Sequence, residues 1–214
     1  MAYDLEEQEQ LDALKAWWNR YGNLITWLLI IVLAGYAAWS GWNYYQRRQA
    51  VQASQLYESL EKAVASRDNA LVQRAASDMA DKFGRTAYAE MGALAAAKSA
   101  FEANDFKVAQ QRLQWVIDNG DDEYKAIARI RLAGVLLDQK NYDAGLKLLA
   151  GDFPAQYAGI VEDRKGDILV AAGKRDEARA AYQSALAKMS AGNPGRRLVQ
   201  LKLDAIGGAP KAAA

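Results

Sequence analysis

AGIVEDRKGDILVAAGKRDEARAAYQSA, Ala158 to Ala185, is the stretch that decides the fold. It holds two runs rich in Ala, Arg, Glu and Leu, all good helix formers, separated by GKRD at 173–176. Glycine at such a break readily takes the left-handed backbone that ends a helix. Counting from Gly159, a small residue stands at the eighth and twentieth positions, Gly166 and Ala178, and a bulky one at the twenty-fourth, Tyr182. Small side chains on two facing helices let their backbones approach, and a bulky one fills the gap to whatever packs next.

The same spacing occurs twice upstream, in AEMGALAAAKSAFEANDFKVAQQRLQWV from Ala89 and KAIARIRLAGVLLDQKNYDAGLKLLAGD from Lys125, at offsets of 36 and 33 residues. Counted likewise from the second residue of each segment, the eighth position is Ala97 and Ala133, the twentieth Ala109 and Gly145, the twenty-fourth Leu113 and Leu149. Turns fall at NDF, KNY and GKRD, where Asn104, Asn141 and Gly173 are types that tolerate a positive φ, and Phe106 and Tyr142 follow as apolar staples. This is the pattern of a tetratricopeptide helix pair. The Lys125 segment matches least well, because Asp152 stands where a small residue is usual.

Outward from these three segments, QLYESLEKAVAS and NALVQRAASDMADKFG read as a degenerate earlier pair. RRLVQLKLDAI, Arg196 to Ile206, reads as the closing helix that an end repeat requires, followed by a disordered tail at 209–214. The expected fold is all-α: a single transmembrane helix followed by a tetratricopeptide-like α-solenoid of three and a half repeats over 47–208.

The transmembrane helix comes from YGNLITWLLIIVLAGYAAWSGWNYYQ, Tyr21 to Gln46, which carries no charge and is fenced by Arg20, Arg47 and Arg48. Its apolar part, Leu24 to Tyr44, reaches roughly 31 Å as a helix, enough for a hydrocarbon core of about 30 Å. Trp17, Trp18 and Tyr21 stand before it and Trp39, Trp42, Tyr44 and Tyr45 after it, where headgroups favour aromatic rings. It begins too late, runs too long and ends in residues too bulky for a cleaved secretory signal, so it reads as a retained anchor. Ala34 with Ala38, and Ala37 with Gly41, are small residues four apart that would let another helix approach. Lys15 and Arg20 balance Arg47 and Arg48, so flanking charge leaves the orientation open.

Residues 1–20 form an acidic tail, with Asp4, Glu6, Glu7, Glu9 and Asp12 against Lys15 and Arg20. Asp4 and Glu7 have capping-box spacing, and Leu11, Leu14, Trp18 and Tyr21 share a face, so the expectation is a short amphipathic helix turning into the anchor at Gly22.

The 214-residue chain contains no Cys and no His, which removes disulfide frameworks, thiolate or imidazole metal sites, and Ser-His-Asp or Cys-His catalysis. A net charge of +1 without a Lys/Arg-rich, aromatic-interleaved run argues against nucleic acid. The carboxylates at Asp121, Asp122, Glu123, Glu162 and Asp163 sit in links or beside Arg164 and read as solvated surface, so no enzyme and no cofactor is expected. Repeat geometry instead points to a binding groove on the first helices of each pair, with Lys98, Phe101, Leu137, Asp138, Asp163 and Asp167 facing inwards. Its mixed chemistry suits extended polypeptide.

YDLEEQEQLDALKAWWNRYGN at Tyr3–Asn23, GWNYYQ at Gly41–Gln46 and VEDRKGDILVAAGKRDEARAAYQSAL at Val161–Leu186 resemble the YfgM family, the tetratricopeptide ancillary subunit of the bacterial Sec translocon. The resemblance covers nearly the whole chain. It implies a single-pass inner-membrane protein of type II topology, with a cytoplasmic N-terminus and periplasmic repeats. It also implies association with the SecYEG channel and a PpiD-type periplasmic chaperone, and help in handing on newly translocated polypeptides. Two other readings fit the residues: a structural adaptor between envelope or division proteins, and a regulator of a cytoplasmic factor acting through the N-terminal tail.

Overall fold

The computed structural model describes residues 2–207, with residues 2–6 and 8 described in their backbone alone. The tail expected at 209–214 and the side chain of Asp4 lie outside the described residues. Among the described residues the regular structure is entirely helical, and the chain divides into two compact units, Met1–Val51 and Gln52–Ala214.

The first unit is built from the long helix α1, Ala2–Ala65. The expected turn at Gly22 is absent, and Asp4 lies inside the helix rather than capping it. A mid-helix glycine costs only about 1 kcal/mol. Here the Trp18 indole lies over Gly22, where a Cβ would stand 2.9 Å from the ring, and Thr26 Oγ1 donates to the Gly22 carbonyl at 2.8 Å. From Leu24 to Tyr44 the large apolar side chains are exposed, apart from the half-buried Ile25. The segment is long and apolar enough to cross a membrane.

The second unit begins with the last turns of α1 and continues through α2 (Asn69–Phe83), α3 (Ala87–Glu102), α4 (Phe106–Asn119), α5 (Asp122–Asp138), α6 (Tyr142–Leu148), α7 (Ala158–Ala171), α8 (Arg175–Lys188) and α9 (Arg196–Ala205). Each helix from α2 onward packs on its chain neighbour, while α3 also meets α5 and α5 meets α7. The first helices of successive pairs thus form one continuous layer, as a solenoid requires. The degenerate first segment is a full pair: Leu60 and Ala63 of α1 are buried with Val72, Ala76 and Met79 of α2 and Ala89 of α3. Among the described residues the solenoid therefore has four helix pairs and a closing helix, rather than three and a half repeats.

The repeat positions do what their sizes dictate. Ala97, Ala133, Ala109 and Ala178 are at most 3% exposed, as are Leu113, Leu149 and Tyr182. A Cβ on Gly145 would stand 3.4 Å from the Ala133 carbonyl of the facing helix, so backbone meets backbone there. Leu113 packs with Leu132 and Val135 of the next pair, Leu149 with Val161 and Ile168, and Tyr182 with Val199 and Leu203 of α9.

All four turns within pairs share one geometry. A single residue has positive φ, namely Arg67, Asn104, Lys140 or Gly173, and the next amide donates back to the carbonyl five residues earlier, at 2.8 to 2.9 Å. This is a Schellman closure. In the third pair the left-handed residue is Lys140, not Asn141, which stands one place on as the residue preceding α6. Asp68 and Asp105 hold that place in the first two pairs and accept from the amides of Leu71 and Val108 at 3.0 and 3.1 Å, capping α2 and α4.

The helix α6 is short because Arg129 takes over its end. Its guanidinium donates to the Leu148 carbonyl at 3.2 and 2.6 Å and to the Asp152 carbonyl at 2.9 Å, and it lies 4.0 Å from the centre of the Phe153 ring. Asp152, the residue that spoils the repeat, thereby belongs to a loop and contributes its backbone.

Candidate functional site: the inner groove

Four of the six residues expected to face inwards come together. Lys98 and Phe101 of α3 and Leu137 and Asp138 of α5 line one hollow of about 560 Å³, with Gly134 in its floor and Arg131 and Arg164 in its walls. A neighbouring hollow of about 770 Å³, between the end of α1 and α3, is lined by Tyr57, Glu61, Val64 and Ser99 and shares Lys98. The inner surface of the second unit is thus a groove that continues past Lys98.

Asp163 and Asp167 are engaged elsewhere. Lys202 of α9 places its Nζ 2.9 and 3.1 Å from the Asp163 carboxylate oxygens and 2.7 Å from Asp167 Oδ1. Tyr182 donates its hydroxyl to Asp167 Oδ1 at 2.9 Å. Burial pushes the Asp163 carboxyl above its ordinary range, with Asp167 adding to the rise and Lys202 opposing it. Burial likewise raises Tyr182, helped by Asp167. This cluster ties the closing helix to the last pair. These two aspartates are inner-layer residues spent on holding the fold.

Arg131 and Arg164 were missed by sequence reading, yet the signal was there. Both occupy the sixth position of their repeats, two before the small residues Ala133 and Gly166, in consecutive repeats. Arg131, an exposed residue overall, donates to the Leu94 carbonyl over a long 3.5 Å, and partial desolvation of its guanidinium holds it below the usual arginine range. The Arg164 guanidinium lies over Gly134, where a Cβ would stand 3.5 Å from its Cζ. Glu90, behind the groove, is a buried carboxyl that accepts from the Asp121 amide at 3.2 Å; burial, with Asp121 adding to it, raises its pKa. Ala34, Ala37, Ala38 and Gly41 are all exposed on α1, and the position where Gly41 would carry a Cβ is open. No group of three or more acidic side chains among the described residues converges as a metal site would require.

A family model described as a tetratricopeptide repeat-like domain matches residues 15–208. A protein of Neisseria gonorrhoeae (strain ATCC 700825 / FA 1090), named ancillary SecYEG translocon subunit, is 36% identical over 211 residues, covering 96% of this chain and all of that one. This chain belongs to the YfgM family. Other relatives with the same name come from Haemophilus influenzae (strain ATCC 51907 / DSM 11121 / KW20 / Rd), 29% identical over 95% of this chain and 99% of its own, and Escherichia coli (strain K12), 28% identical over 83% of this chain and 86% of its own. The match to the YfgM family runs through both units, so the apolar helix and the repeats are shared together.

Proposed function

We propose that this chain is a non-catalytic, membrane-anchored accessory subunit of the Sec translocon, with residues 21–46 as its anchor and 47–208 as a binding domain. Residues 1–20 lie in the cytoplasm and the repeats in the periplasm. The inner groove receives newly translocated polypeptide, a PpiD-type chaperone, or each in turn, and assists hand-off. Ala34, Ala37, Ala38 and Gly41 give the anchor a face on which another membrane helix can pack closely. The reading is carried by one observation: relatives named as ancillary SecYEG translocon subunits align with this chain through the apolar helix and the groove-bearing repeats alike. Tethering beside the channel exit supplies an effective concentration that lets modest groove affinity suffice.

Affinity purification of the full chain from gently solubilised membranes should recover SecYEG. Recovery of other membrane partners without SecYEG would overturn the assignment. Photo-crosslinkers at Lys98 and Leu137, both in the groove, should trap nascent secreted chains or the chaperone. Adducts solely with envelope or division proteins would favour the adaptor role.

A further inference from the structure

The hollow between α3, α5 and α7 gathers three cationic side chains, Lys98, Arg131 and Arg164, around a single lining carboxylate. Arg131 has no carboxylate within ion-pair distance among the described residues, and its long bond to the Leu94 carbonyl is a poor use of a guanidinium fork. Arg164 keeps a loose 3.5 Å approach to Asp167 Oδ2, while its buried Nε has no partner at all. Lys98 adds a third cation, held 3.6 Å from Glu102 in a solvent-exposed pair of the kind that is worth little. Against these three the hollow itself offers one carboxylate, Asp138.

The apolar part of the hollow is equally specific in placement. Phe101 and Leu137 stand at the same position of consecutive repeats, so they mark two steps along one wall. Phe101 is braced edge-on by Phe106, ring centres 5.5 Å apart, which fixes it as a platform. Gly134 leaves the floor open beside the Arg164 guanidinium. Because the groove continues past Lys98 into the neighbouring hollow, a bound chain can run through rather than end there.

From this arrangement we infer that the groove takes an extended polypeptide segment with an internal Asp or Glu side chain, which pairs with Arg131 and Arg164, next to an apolar side chain seated on Phe101 and Leu137. The planar guanidinium presents a pair of donors matched in geometry to a carboxylate. The inference rests on the proposed role of the groove as the polypeptide site and adds the chemistry that the groove selects.

The test uses the full chain in phosphatidylcholine nanodiscs and isothermal titration with short, unlabelled Leu/Ala-rich peptides, with empty nanodiscs as the blank. The first peptide has a central Glu, an acetylated N-terminus and an amidated C-terminus, the second replaces Glu by Gln, and the third is the Gln peptide with a free C-terminal carboxylate. The Glu peptide should bind about tenfold more tightly than the Gln peptide, as a charge-assisted pair warrants, with the advantage shrinking as salt is raised. Arg131→Met should cut the Glu-over-Gln ratio severalfold, the remaining preference being supplied by Arg164, and Phe101→Ala should weaken both peptides.

Equal binding of Glu and Gln peptides to the unaltered chain overturns the inference without recourse to any variant. Tighter binding of the free-carboxylate peptide than of the Glu peptide overturns it too, in favour of recognition of a chain end. Failure to recover SecYEG while Glu is still preferred over Gln would remove the translocon role and leave the peptide chemistry standing; equal peptide binding with SecYEG recovered would do the reverse.

Discussion

Gly166 is the tightest point in the repeats. A Cβ there would stand 2.5 Å from Cδ1 of the Tyr182 ring, which is 2% exposed and cannot swing away without abandoning Asp167. Gly166→Ala therefore sets overpacking of about 1–3 kcal/mol against a gain in helix propensity of about 1 kcal/mol. The expected outcome in urea unfolding of the full chain is a net loss of stability, whereas Gly41→Ala, where the space is open, should be close to neutral. Glu90 gives the clearest pH effect. Its folded pKa is raised by burial above the ordinary 4.5, so ionising it costs more in the folded protein than in the unfolded chain. Below 4.5 the carboxyl is protonated in both states. As pH rises from there through the raised value, stability falls, and then levels off. Glu90→Gln keeps an acceptor for the Asp121 amide and should raise the melting temperature near neutral pH, with the difference vanishing in acid.

At the scale of the element, Arg129 decides where α6 stops. Three carbonyl bonds and the Phe153 face converge on one guanidinium, and Gly151 leaves it room, since a Cβ there would meet Arg129 Nη2 at 2.5 Å. Arg129→Met keeps much of the stem but orphans those carbonyls, and should cost about 2 kcal/mol with faster amide exchange confined to residues 148–157. The turns show how much of an element is readable from residue type. Asn104 and Gly173 announce a left-handed residue, but Lys140 and Arg67 adopt the same conformation without announcing it. The cost of about 1–2 kcal/mol for a residue with a Cβ is carried there by two helices whose packing fixes the turn.

At the scale of the whole molecule, an exposed apolar helix segment and a water-soluble type of repeat belong to one chain, and a bilayer is the medium that accommodates the first. The full-length protein should resist extraction by alkaline carbonate. Protease added outside spheroplasts should degrade residues 47–214; their survival would place the repeats in the cytoplasm and end the periplasmic reading. The four-pair stack also predicts its own failure mode. Removing α9 would strip Val199 and Leu203 from Tyr182 and leave Asp163 and Asp167 facing each other without Lys202, so exchange protection should be lost from α7 and α8 first.

The chain's order of residues was enough for the helical class, the apolar span, three of the helix pairs and the meeting of Lys98, Phe101, Leu137 and Asp138 around one hollow. Each of those depends on a local rule, such as helix period, the size of a side chain at a fixed repeat position, or a run without charge. Tertiary structure alone decided that Asp163 and Asp167 are claimed by Lys202 rather than left to a ligand, because the partner is some forty residues away on a helix whose docking no local pattern encodes. It decided that Arg131 meets the Leu94 carbonyl and no carboxylate among the described residues, which depends on what surrounds it in space. It also decided that Gly22 is bridged by Trp18 and Thr26 within one continuous helix, since a glycine bends a helix only when nothing on the next turn holds it straight.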